Sequence, residues 1–371
     1  MKINSVKVKN FKSLKDVDIN LNNLTLITGV NSSGKSSFIQ VLLLMKENSM
    51  THKDKGDFYT VNGDCITLGN VKSLLHYEAR KKEINFAFKF DDDFGWIEIN
   101  ADSNFKIQDD IYNSNSPADS LIQHQLFFKK IVYLSTNRIP PSLTFPFSEK
   151  DIANHNIGIN GEFTIHYLTE YRHQTLSAQG LKHKDSKSLQ LLENTEKWLG
   201  EISNGVSITV SADASTQSSK LSYQYSYDEN SSRITSEQSP LNVGFGLTYV
   251  LPVIVLILKS KPGDFIIIEN PESHLHPAGQ SKIAEMCAIA ANNGVQIIVE
   301  THSDHFLNGV RVATKNEIIA PDKSQIYFFE KEENGLDTIP RPIDIDKDGK
   351  LSDWPKSFFD EWGNQLDKLL W

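Results

Sequence analysis

The chain opens with alternating apolar and polar positions, which give way to continuous apolar runs. Alternation at a period of two predicts two strands, whose apolar residues are Ile3, Val6, Val8, Val17, Ile19 and Leu21. A third run, Leu24–Ile27, predicts another strand. It breaks into a glycine- and serine-rich stretch, after which Ser37–Met45 has the composition of a helix. The pattern therefore predicts strand, loop and helix in that order over residues 24–45.

The middle of the chain is less regular. Residues 57–101 are β-rich and predict strands, with a short helix over Val71–Arg80. Residues 102–126 are rich in Asn, Asp and Ser and predict a surface loop. Phe127–Ser135 has the composition of a buried strand.

The C-terminal third alternates between helices and short apolar strands. An apolar helix is predicted up to about Leu258, and Phe265–Ile268 and Val295–Val299 predict buried strands. A helix from about Ala278 to Asn292 separates those two strands. Strands that alternate with helices in this way predict an α/β fold with a parallel sheet covered on both faces.

The loop between Leu24–Ile27 and the following helix has the spacing G-x-x-x-x-G-K-S, which is that of a phosphate-binding P-loop. Gly29 and Gly34 allow the backbone to adopt positive φ and to approach an anion closely. Lys35 supplies a charge for the β- and γ-phosphates, and the Ser36 hydroxyl is a Mg²⁺ ligand. The candidate nucleotide-binding residues are Gly29, Asn31, Ser32, Ser33, Gly34, Lys35, Ser36 and Ser37. A plain Gly/Ser loop between strand and helix is the alternative interpretation.

Two further strand ends carry polar residues, and ligands of open α/β sheets bind at the carboxyl ends of the strands. Glu269 follows the strand Phe265–Ile268 directly, where P-loop NTPases place the carboxylate that holds Mg²⁺. His302, at the end of the next strand, is a candidate for contacting the γ-phosphate or the attacking water. The alternatives are a carboxylate satisfied by a turn and a structural histidine.

Composition restricts the class of protein. The 371 residues carry a formal net charge of −9 and only two cysteines, Cys65 and Cys287. Two isolated thiols predict neither a disulfide framework nor a zinc site, which fits the cytoplasm. The first 15 residues are not a signal peptide, and the longest apolar run, Tyr249–Leu258, is too short to cross a bilayer. We therefore expect a cytoplasmic protein without a membrane partner.

Lysines cluster near the start of the chain, at Lys2, Lys7, Lys9, Lys12 and Lys15. A solvated strand face explains them, and a local basic patch that contacts DNA is the alternative.

Four motifs together resemble a known family. GVNSSGKS, LNVGFG, FIIIENPESHLHP and VETHSDH occur in the order found in ABC-type ATPase heads of the SMC, RecF and OLD group. Trp354–Phe359 also resembles the WP-x-x-FF tail of small bacterial ATPases of that group. The resemblance implies a single head domain over residues 1–371, with an N-terminal antiparallel β-subdomain. No heptad run long enough for coiled-coil arms is present in the sequence.

Four segments of that single domain follow. We expect an N-terminal lobe with the P-loop over residues 1–141 and a helical or irregular insertion over 142–203. Residues 204–320 would hold the signature, the Mg²⁺ strand and the switch histidine. Residues 321–371 would form a C-terminal strand and a tail helix.

The resemblance also implies roles for single residues. Gly29–Ser37 is then the ATP loop, and Leu241–Gly246 is the signature that covers a partner's nucleotide. The signature residues are Asn242, Gly244 and Gly246. Glu269 would hold Mg²⁺, His302 would be the switch histidine, and Ser273–Ser281 would face the partner. Arg138 lies near the place where such heads keep a polar residue that senses the nucleotide.

Two departures from the family pattern concern catalysis. The Mg²⁺ strand of the family ends in Asp-Glu, whereas this chain has Glu269 and Asn270. Because an amide cannot accept a proton, the general base is either Glu272 or weak. Asn242 replaces a serine of the signature, although an amide can still donate a hydrogen bond. The departures predict slow hydrolysis, with Lys35, Glu269, Glu272 and His302 as the catalytic candidates.

The resemblance implies a homodimer joined by two ATP molecules, with a higher oligomer left open. The same likeness suggests an ATPase of a bacterial anti-phage defence system that controls a separate effector, a nuclease or a toxin. Two alternatives stay open at this point: a RecF-type DNA repair ATPase that clamps DNA, and a P-loop scaffold that does not hydrolyse ATP.

One acidic segment resembles a calcium loop. Asp344, Asp346 and Asp348 alternate before Gly349, but Pro355 stands at the twelfth position, where the loop needs a glutamate. A polar turn is the preferred interpretation.

Overall fold

The computed structural model describes residues 1–51, 60–80, 83–91, 94–101, 107–112, 126–226, 235–333 and 335–370. The strands in the described part are β1 (Ile3–Phe11), β2 (Leu14–Asn20), β3 (Leu24–Gly29), β4 (Asn85–Phe90), β5 (Phe94–Ala101), β6 (Ile107–Tyr112), β7 (Val132–Leu134), β8 (Phe145–Pro146), β9 (Val206–Asp213), β10 (Ser218–Tyr225), β11 (Phe265–Glu269), β12 (Gln296–Glu300), β13 (Ser324–Lys331) and β14 (Thr338–Ile343). The helices are α1 (Lys35–Thr51), α2 (Glu149–Ala153), α3 (Thr164–Glu170), α4 (Leu191–Ile202), α5 (Phe245–Lys259), α6 (Pro277–Asn292), α7 (Asp304–Lys315) and α8 (Glu361–Leu370), besides a helical turn at residues 126–130.

A six-stranded sheet forms the centre of the fold. Its order is β14-β13-β3-β12-β11-β7, and β14 alone pairs antiparallel with its neighbour. Alternate residues of the central strands belong to two different hydrophobic cores, as Ile266 and Ile267 of β11 do. Both faces are therefore covered, which confirms the predicted parallel sheet.

Two antiparallel sheets flank this centre. The sheet β2-β1-β4-β5-β6 packs with α1 on one face, and it is the expected N-terminal β-subdomain. The sheet β8-β10-β9 packs with α3, α4 and α5 on the other face. The C-terminal strand expected after residue 321 is a hairpin, β13 and β14.

Three predictions of local structure are wrong. Phe127–Ser135 is not one strand, because residues 126–130 are helical and only Val132–Leu134 is extended. Phe128 is buried all the same, so its apolar character could not distinguish the two structures. Residues 107–112, inside the predicted loop, form β6, and the helix predicted over Val71–Arg80 is one 3-10 turn, Val71–Leu74. The rest of that loop lies outside the described residues up to residue 125.

The parallel arrangement sets the location of any ligand site. The carboxyl ends of β3, β12 and β11 lie side by side, because β12 pairs with both of the other strands in parallel register. The P-loop, Glu300 and Glu269 consequently share one edge of the sheet. Among the described residues, no helix is both long enough and apolar enough to span a bilayer.

Candidate functional site at the strand ends

The loop between β3 and α1 cannot accept a side chain at either of its glycines. Gly29 has φ of 141° and Gly34 has φ of 101°. A Cβ on Gly29 would lie 2.1 Å from the Phe329 carbonyl oxygen, and one on Gly34 would lie 2.3 Å from the Thr338 Oγ1. The glycines are therefore required by the neighbouring hairpin as well as by the backbone conformation.

Lys35 is buried at the N-terminus of α1. Its Nζ donates to the carbonyl oxygens of Gly29 and Val30, at 3.0 and 2.9 Å. Burial lowers the pKa of its ammonium, and the carboxylate of Glu300 opposes that shift. No acidic residue lies in the first turn of α1, so the partial positive charge of this helix end is not neutralised locally. The arrangement attracts anions.

Two carboxylates end neighbouring strands beside the P-loop. Glu269 of β11 and Glu300 of β12 are direct partners in the parallel register. The Ser36 hydroxyl donates to Glu300 Oε1 at 3.4 Å, and the Thr136 N–H donates to Glu269 Oε2 at 3.4 Å. Burial, followed by the charge of Glu269, raises the pKa of Glu300 to about 7. Burial also raises the pKa of Glu269.

Glu272 and His302 contact each other at the same edge. The backbone N–H of His302 donates to Glu272 Oε1 at 3.0 Å. The other carboxylate oxygen of Glu272 is buried without a hydrogen-bond partner. Desolvation, followed by the charge of Lys35, lowers the pKa of the His302 imidazole, which favours its neutral form. Glu272 thus presents a free acceptor close to the switch-histidine candidate.

A cavity of about 200 Å³ adjoins the start of the P-loop. It is lined by Thr28, Gly29, Val30, His302, Phe328 and residues 357–361. The anchor of the tail is Phe358, which is fully buried and packs edge-on against Phe328 at 5.4 Å between ring centroids. No role at this site was predicted for the tail segment, because its proximity depends on where the β13–β14 hairpin leads the chain.

Arg138 binds the backbone that follows β11. Its guanidinium donates to the carbonyl oxygens of Glu269 and Asn270, and it lies 4.9 Å from the centroid of the Tyr249 ring. Asn270 has φ of 44°, a left-handed conformation. Arg138 therefore fixes the geometry of the turn that carries the strand-end residues. Burial lowers the pKa of Arg138 to about 10.

The signature residues are largely exposed and pack beside the loop that follows β11. Asn242 and Gly244 are exposed, and Leu241 and Phe245 beside them are 56% and 41% exposed. A Cβ on Gly246 would lie 2.4 Å from the His274 carbonyl oxygen, so the signature packs tightly against the loop after β11. Within the described residues, Asn242, Gly244 and Gly246 line no part of the P-loop cavity.

The structure thus brings part of the predicted set together. The residues gathered at the sheet edge are Lys35, Ser36, Glu269, Glu272 and His302. Asn31 and Ser32 are exposed on the P-loop, whereas Ser33 is buried and its carbonyl oxygen accepts from Thr338 Oγ1 at 2.8 Å. Ser37 is partly buried in the first turn of α1.

Glu300 was missed by the sequence analysis. A signal was present, because Glu300 follows a buried apolar run just as Glu269 does.

Two of the lysines near the start of the chain form ion pairs with carboxylates. Lys9 pairs with Asp16 at 3.5 Å, and Lys15 pairs with Glu78 at 2.6 Å and Asp337 at 3.1 Å. These lysines of the opening strands are therefore matched by carboxylates.

The calcium-like segment forms a polar turn. Asp346 Oδ1 accepts the backbone N–H groups of Asp348 at 2.9 Å and Lys350 at 2.8 Å. This carboxylate oxygen is committed to closing the turn, in line with the interpretation preferred from the sequence.

A family model matches the part of the chain that carries these motifs. The model is described as "AAA domain, putative AbiEii toxin, Type IV TA system", and it matches residues 24–308. The chain belongs to this family. A second model, described as "Protein of unknown function (DUF3696)", matches residues 319–369 of the same chain. The second match covers the hairpin and the tail that reaches the P-loop cavity.

Comparison with solved structures shows that this chain has the fold of SMC heads. An SMC head bound to the C-winged helix domain of ScpA superposes with a TM-score of 0.57 at 14% identity, over 93% of this chain and 98% of that one. An SMC head from Pyrococcus furiosus with an extended coiled coil gives a TM-score of 0.55 at 12% identity, over 100% and 99% of the two chains. The ABC-type head expected from the motifs is confirmed.

One curated relative links the chain to the OLD proteins. The OLD nuclease of Thermus scotoductus is 22% identical over 368 residues, which cover 90% of this chain and 66% of the relative. The chain thus spans just under two thirds of the length of that nuclease. Together the comparisons place the chain in the AAA-domain family, with the fold of SMC heads and a sequence similar to that of an OLD nuclease.

Proposed function

We propose that this chain binds ATP with Mg²⁺ and acts as a dimeric switch that hydrolyses ATP slowly. The observation that carries the proposal is the environment of Lys35, whose buried ammonium donates to two neutral carbonyl oxygens, of Gly29 and Val30. Phosphate oxygens are better acceptors, because hydrogen bonds between charged groups are roughly twice as strong as neutral ones. A triphosphate at the N-terminus of α1 would therefore replace these contacts with stronger hydrogen bonds to Lys35.

The oxygen ligands at the sheet edge fit Mg²⁺. The Ser36 hydroxyl and the Glu269 carboxylate are hard oxygen donors, which this ion prefers. Among the described residues, no lysine or arginine lies within 4.0 Å of the carboxylates of Glu269, Glu272 and Glu300. When bound, Mg²⁺ supplies charge that stabilises the phosphate oxygens during transfer.

Glu272 is the proposed general base. Its Oε1 is held by the backbone N–H of His302, while its buried Oε2 has no partner and can accept a proton from water. Asn270 stands at the position of the usual base and cannot do so. A base placed two residues further on is the reason for proposing slow turnover, with the neutral His302 imidazole contacting the γ-phosphate side.

The proposed dimer is supported by the exposure of the signature, which leaves it free to contact a second copy. Gly29–Ser37 opens at the sheet edge, whereas Asn242, Gly244 and Gly246 are located on the surface beside Phe245 and line no part of the P-loop cavity within the described residues. A second copy would cover the nucleotide with its signature, and its Asn242 amide would donate to the γ-phosphate. ATP would close the dimer, and hydrolysis would open it.

Light scattering tests the switch. We expect the wild type to double its mass with ATP and Mg²⁺, and Lys35→Ala to stay a monomer in every condition. Lys220→Ala is the matched control and should dimerise normally, because Lys220 is exposed on β10, outside the P-loop, the signature and Ser273–Ser281. A wild type that binds ATP but remains a monomer would overturn the dimer.

We further propose that the switch controls a separate effector, a nuclease or a toxin, in an anti-phage system. The proposal is supported by the family description, which names a putative toxin, and by the OLD nuclease as a relative. Coexpression with the product of a neighbouring reading frame tests it. We expect copurification that depends on ATP and is lost in Lys35→Ala, and the proposal fails if no neighbouring product associates.

The DNA clamp has less support, because two of the five lysines near the start of the chain, Lys9 and Lys15, are paired with carboxylates. DNA binding that strengthens with ATP and falls steeply with salt would favour it nonetheless. ATP binding without any turnover, unchanged in Asn270→Glu, would favour the scaffold instead.

A further inference from the structure

Glu300 occupies the strand between the P-loop strand and the strand of Glu269. In the parallel register it pairs with Ile27 of β3 on one side and with Glu269 of β11 on the other. Because each of these residues ends or nearly ends its strand, the two glutamates reach the same edge of the sheet. The P-loop is thus closer in strand order to Glu300 than to Glu269.

The side chain of Glu300 is directed to the proposed metal ligand of the P-loop. Its Oε1 accepts from the Ser36 hydroxyl at 3.4 Å, and the residue is only 5% exposed. Lys35, whose charge acts on Glu300, gives its hydrogen bonds to backbone carbonyls instead. A buried carboxylate with one long hydrogen bond and, among the described residues, no lysine or arginine within 4.0 Å is costly to keep.

A buried carboxylate oxygen of Glu272, in the same region, lacks a hydrogen-bond partner. Glu272 is 8% exposed, and its Oε2 makes no hydrogen bond. The three glutamates interact electrostatically, because the charges of Glu269 and Glu272 both act on Glu300. The region therefore has several buried oxygen acceptors and a deficit of positive charge, which is the environment that a hard divalent cation satisfies.

We propose that Glu300 is a second carboxylate of the Mg²⁺ site, acting with Ser36 and Glu269 from the neighbouring elements. The inference rests on the proposed function, since the metal enters with the nucleotide. It makes the site a carboxylate pair on adjacent strands in place of the single strand-end acid that the motif predicts.

The pair would also make nucleotide binding depend on the metal. Without a divalent cation, the carboxylates of Glu269 and Glu300 repel the phosphates that Lys35 attracts. With the cation, the same two groups stabilise the complex. Removing one carboxylate should therefore weaken binding in the presence of metal and strengthen it in its absence.

Glu300→Gln tests this, because the amide keeps the shape and can still accept from Ser36. Mn²⁺ affinity is measured by electron paramagnetic resonance with saturating ATP, and the affinity of a fluorescent ATP analogue is measured in EDTA. We expect Mn²⁺ to bind roughly 10- to 100-fold more weakly than to the wild type. The analogue should bind several-fold more tightly in EDTA, by removal of one repulsive charge.

Two further variants serve as a positive and a negative control for Glu300→Gln. Glu269→Gln should reproduce both changes, and Glu201→Gln, in a group of charges remote from the P-loop in sequence, should show neither. Unaltered Mn²⁺ affinity in a folded Glu300→Gln variant would overturn the inference and leave the proposed function intact. A wild type that binds no ATP analogue with Mn²⁺ would overturn both.

Discussion

Two groups of acidic side chains in this molecule differ in whether the neighbouring lysines and arginines bind their carboxylates or bind backbone carbonyl oxygens. The edge carboxylates are Glu269, Glu272 and Glu300. The insertion cluster is His183, Asp185 and Glu201, whose potential ligand atoms all lie within 4.8 Å of one another. By composition and spacing alone, the insertion cluster resembles a metal site as much as the edge carboxylates do.

Lysines neutralise the insertion cluster. Lys184 and Lys282 each place an ammonium 3.4 Å from a Glu201 oxygen. Both ring nitrogens of His183 are used, because Nδ1 accepts from the Asp185 N–H at 3.2 Å and Nε2 donates to Glu201 at 3.1 Å. No lone pair of the imidazole is left for a metal, so this cluster is a structural contact between α4, the loop before it and α6.

At the sheet edge the cations bind backbone instead. Lys35 donates to Gly29 and Val30, and Arg138 donates to the carbonyl oxygens that follow β11. The carboxylates of Glu269, Glu272 and Glu300 are left without a lysine or arginine within 4.0 Å in the described part of the chain.

The pKa shifts of two glutamates reflect this difference. Burial and the charge of Glu269 raise the pKa of Glu300, which has too few favourable neighbours. Desolvation would also raise the pKa of Glu201, but the hydrogen bond from His183 and the charge of Lys282 outweigh it, and the pKa is lowered. We infer that a ligand site is distinguished from a structural cluster by whether nearby lysines and arginines pair with its carboxylates. The number of acidic residues distinguishes the two less well.

The largest effect is expected from removing the cation at the sheet edge. Lys35→Ala should weaken ATP binding by roughly 10²- to 10³-fold, because about two charge-assisted hydrogen bonds worth ~1.5–2 kcal/mol each are lost. Lys282→Ala, which removes an ion-pair partner of the insertion cluster, should leave the affinity unchanged. Calorimetric titration of both variants measures the contrast, and equal losses would contradict it.

The pH dependence of folding should separate Glu300 from Glu201. In metal-free protein, the folded state keeps a proton on Glu300 up to about pH 7, whereas the unfolded chain loses it near pH 4.5. The folded state binds more protons in this window, so the free energy of unfolding falls as the pH rises through it. The stabilisation is complete below about pH 4.5, and about 3 kcal/mol is lost by pH 8.

Urea unfolding in EDTA at pH 5.5 and pH 8 measures this contribution. Glu300→Gln should lose most of the difference between the two values and be the more stable protein at pH 8. The pH slope of Glu201→Gln should match that of the wild type over the same range. A slope that persists in Glu300→Gln would assign it to other groups, with Glu269 the first to test.

Glu272→Gln should affect turnover more than binding. The Gln Oε1 can still accept from the His302 N–H, but the amide cannot take a proton from water. We expect turnover to fall by about 10²-fold, the lower end for loss of a general base, with ATP affinity changed only a few-fold. Asn270→Glu in the same background should restore part of the rate. Phosphate release under single-turnover conditions reports both, and an unaltered rate in Glu272→Gln would exclude it as the base.

Contiguous features of the site could be predicted from the sequence, and features set by strand order could not. The P-loop is local, since Gly29 to Ser36 follow one another between a strand and a helix. Glu269 was found because it ends a buried strand within a known motif. Glu300 has the same local setting, but its importance depends on β12 lying between β3 and β11, which the sequence does not specify.

The fold class was predictable for a similar reason. The alternation of short apolar strands and helices after Leu241 fixes a parallel sheet regardless of strand order. Phe127–Ser135 failed because Phe127 and Phe128 are buried in a helical turn, and burial favours apolar residues equally in a helix or a strand. The tail segment at residues 357–361 reaches the P-loop cavity through a tertiary contact, Phe358 on Phe328, that no local pattern encodes.

The smallest effect is expected in the insertion cluster. Glu201→Gln removes the charge that pairs with Lys184 and Lys282, both partly solvated, so the cost should be about 1 kcal/mol or less. Because the pKa of Glu201 is lowered in the folded state, the loss should be present at pH 8 and vanish as the pH falls below the unfolded value.

The same variant tests whether the insertion cluster is a metal site after all. Mn²⁺ or Zn²⁺ added to nucleotide-free wild type should not raise its melting temperature through this cluster, because His183 has no free nitrogen and the lysines already occupy Glu201. A metal-dependent rise in the wild type that disappears in Glu201→Gln would show that the lysines are displaced. That result would show that pairing of carboxylates with lysine or arginine does not distinguish a structural cluster from a metal site.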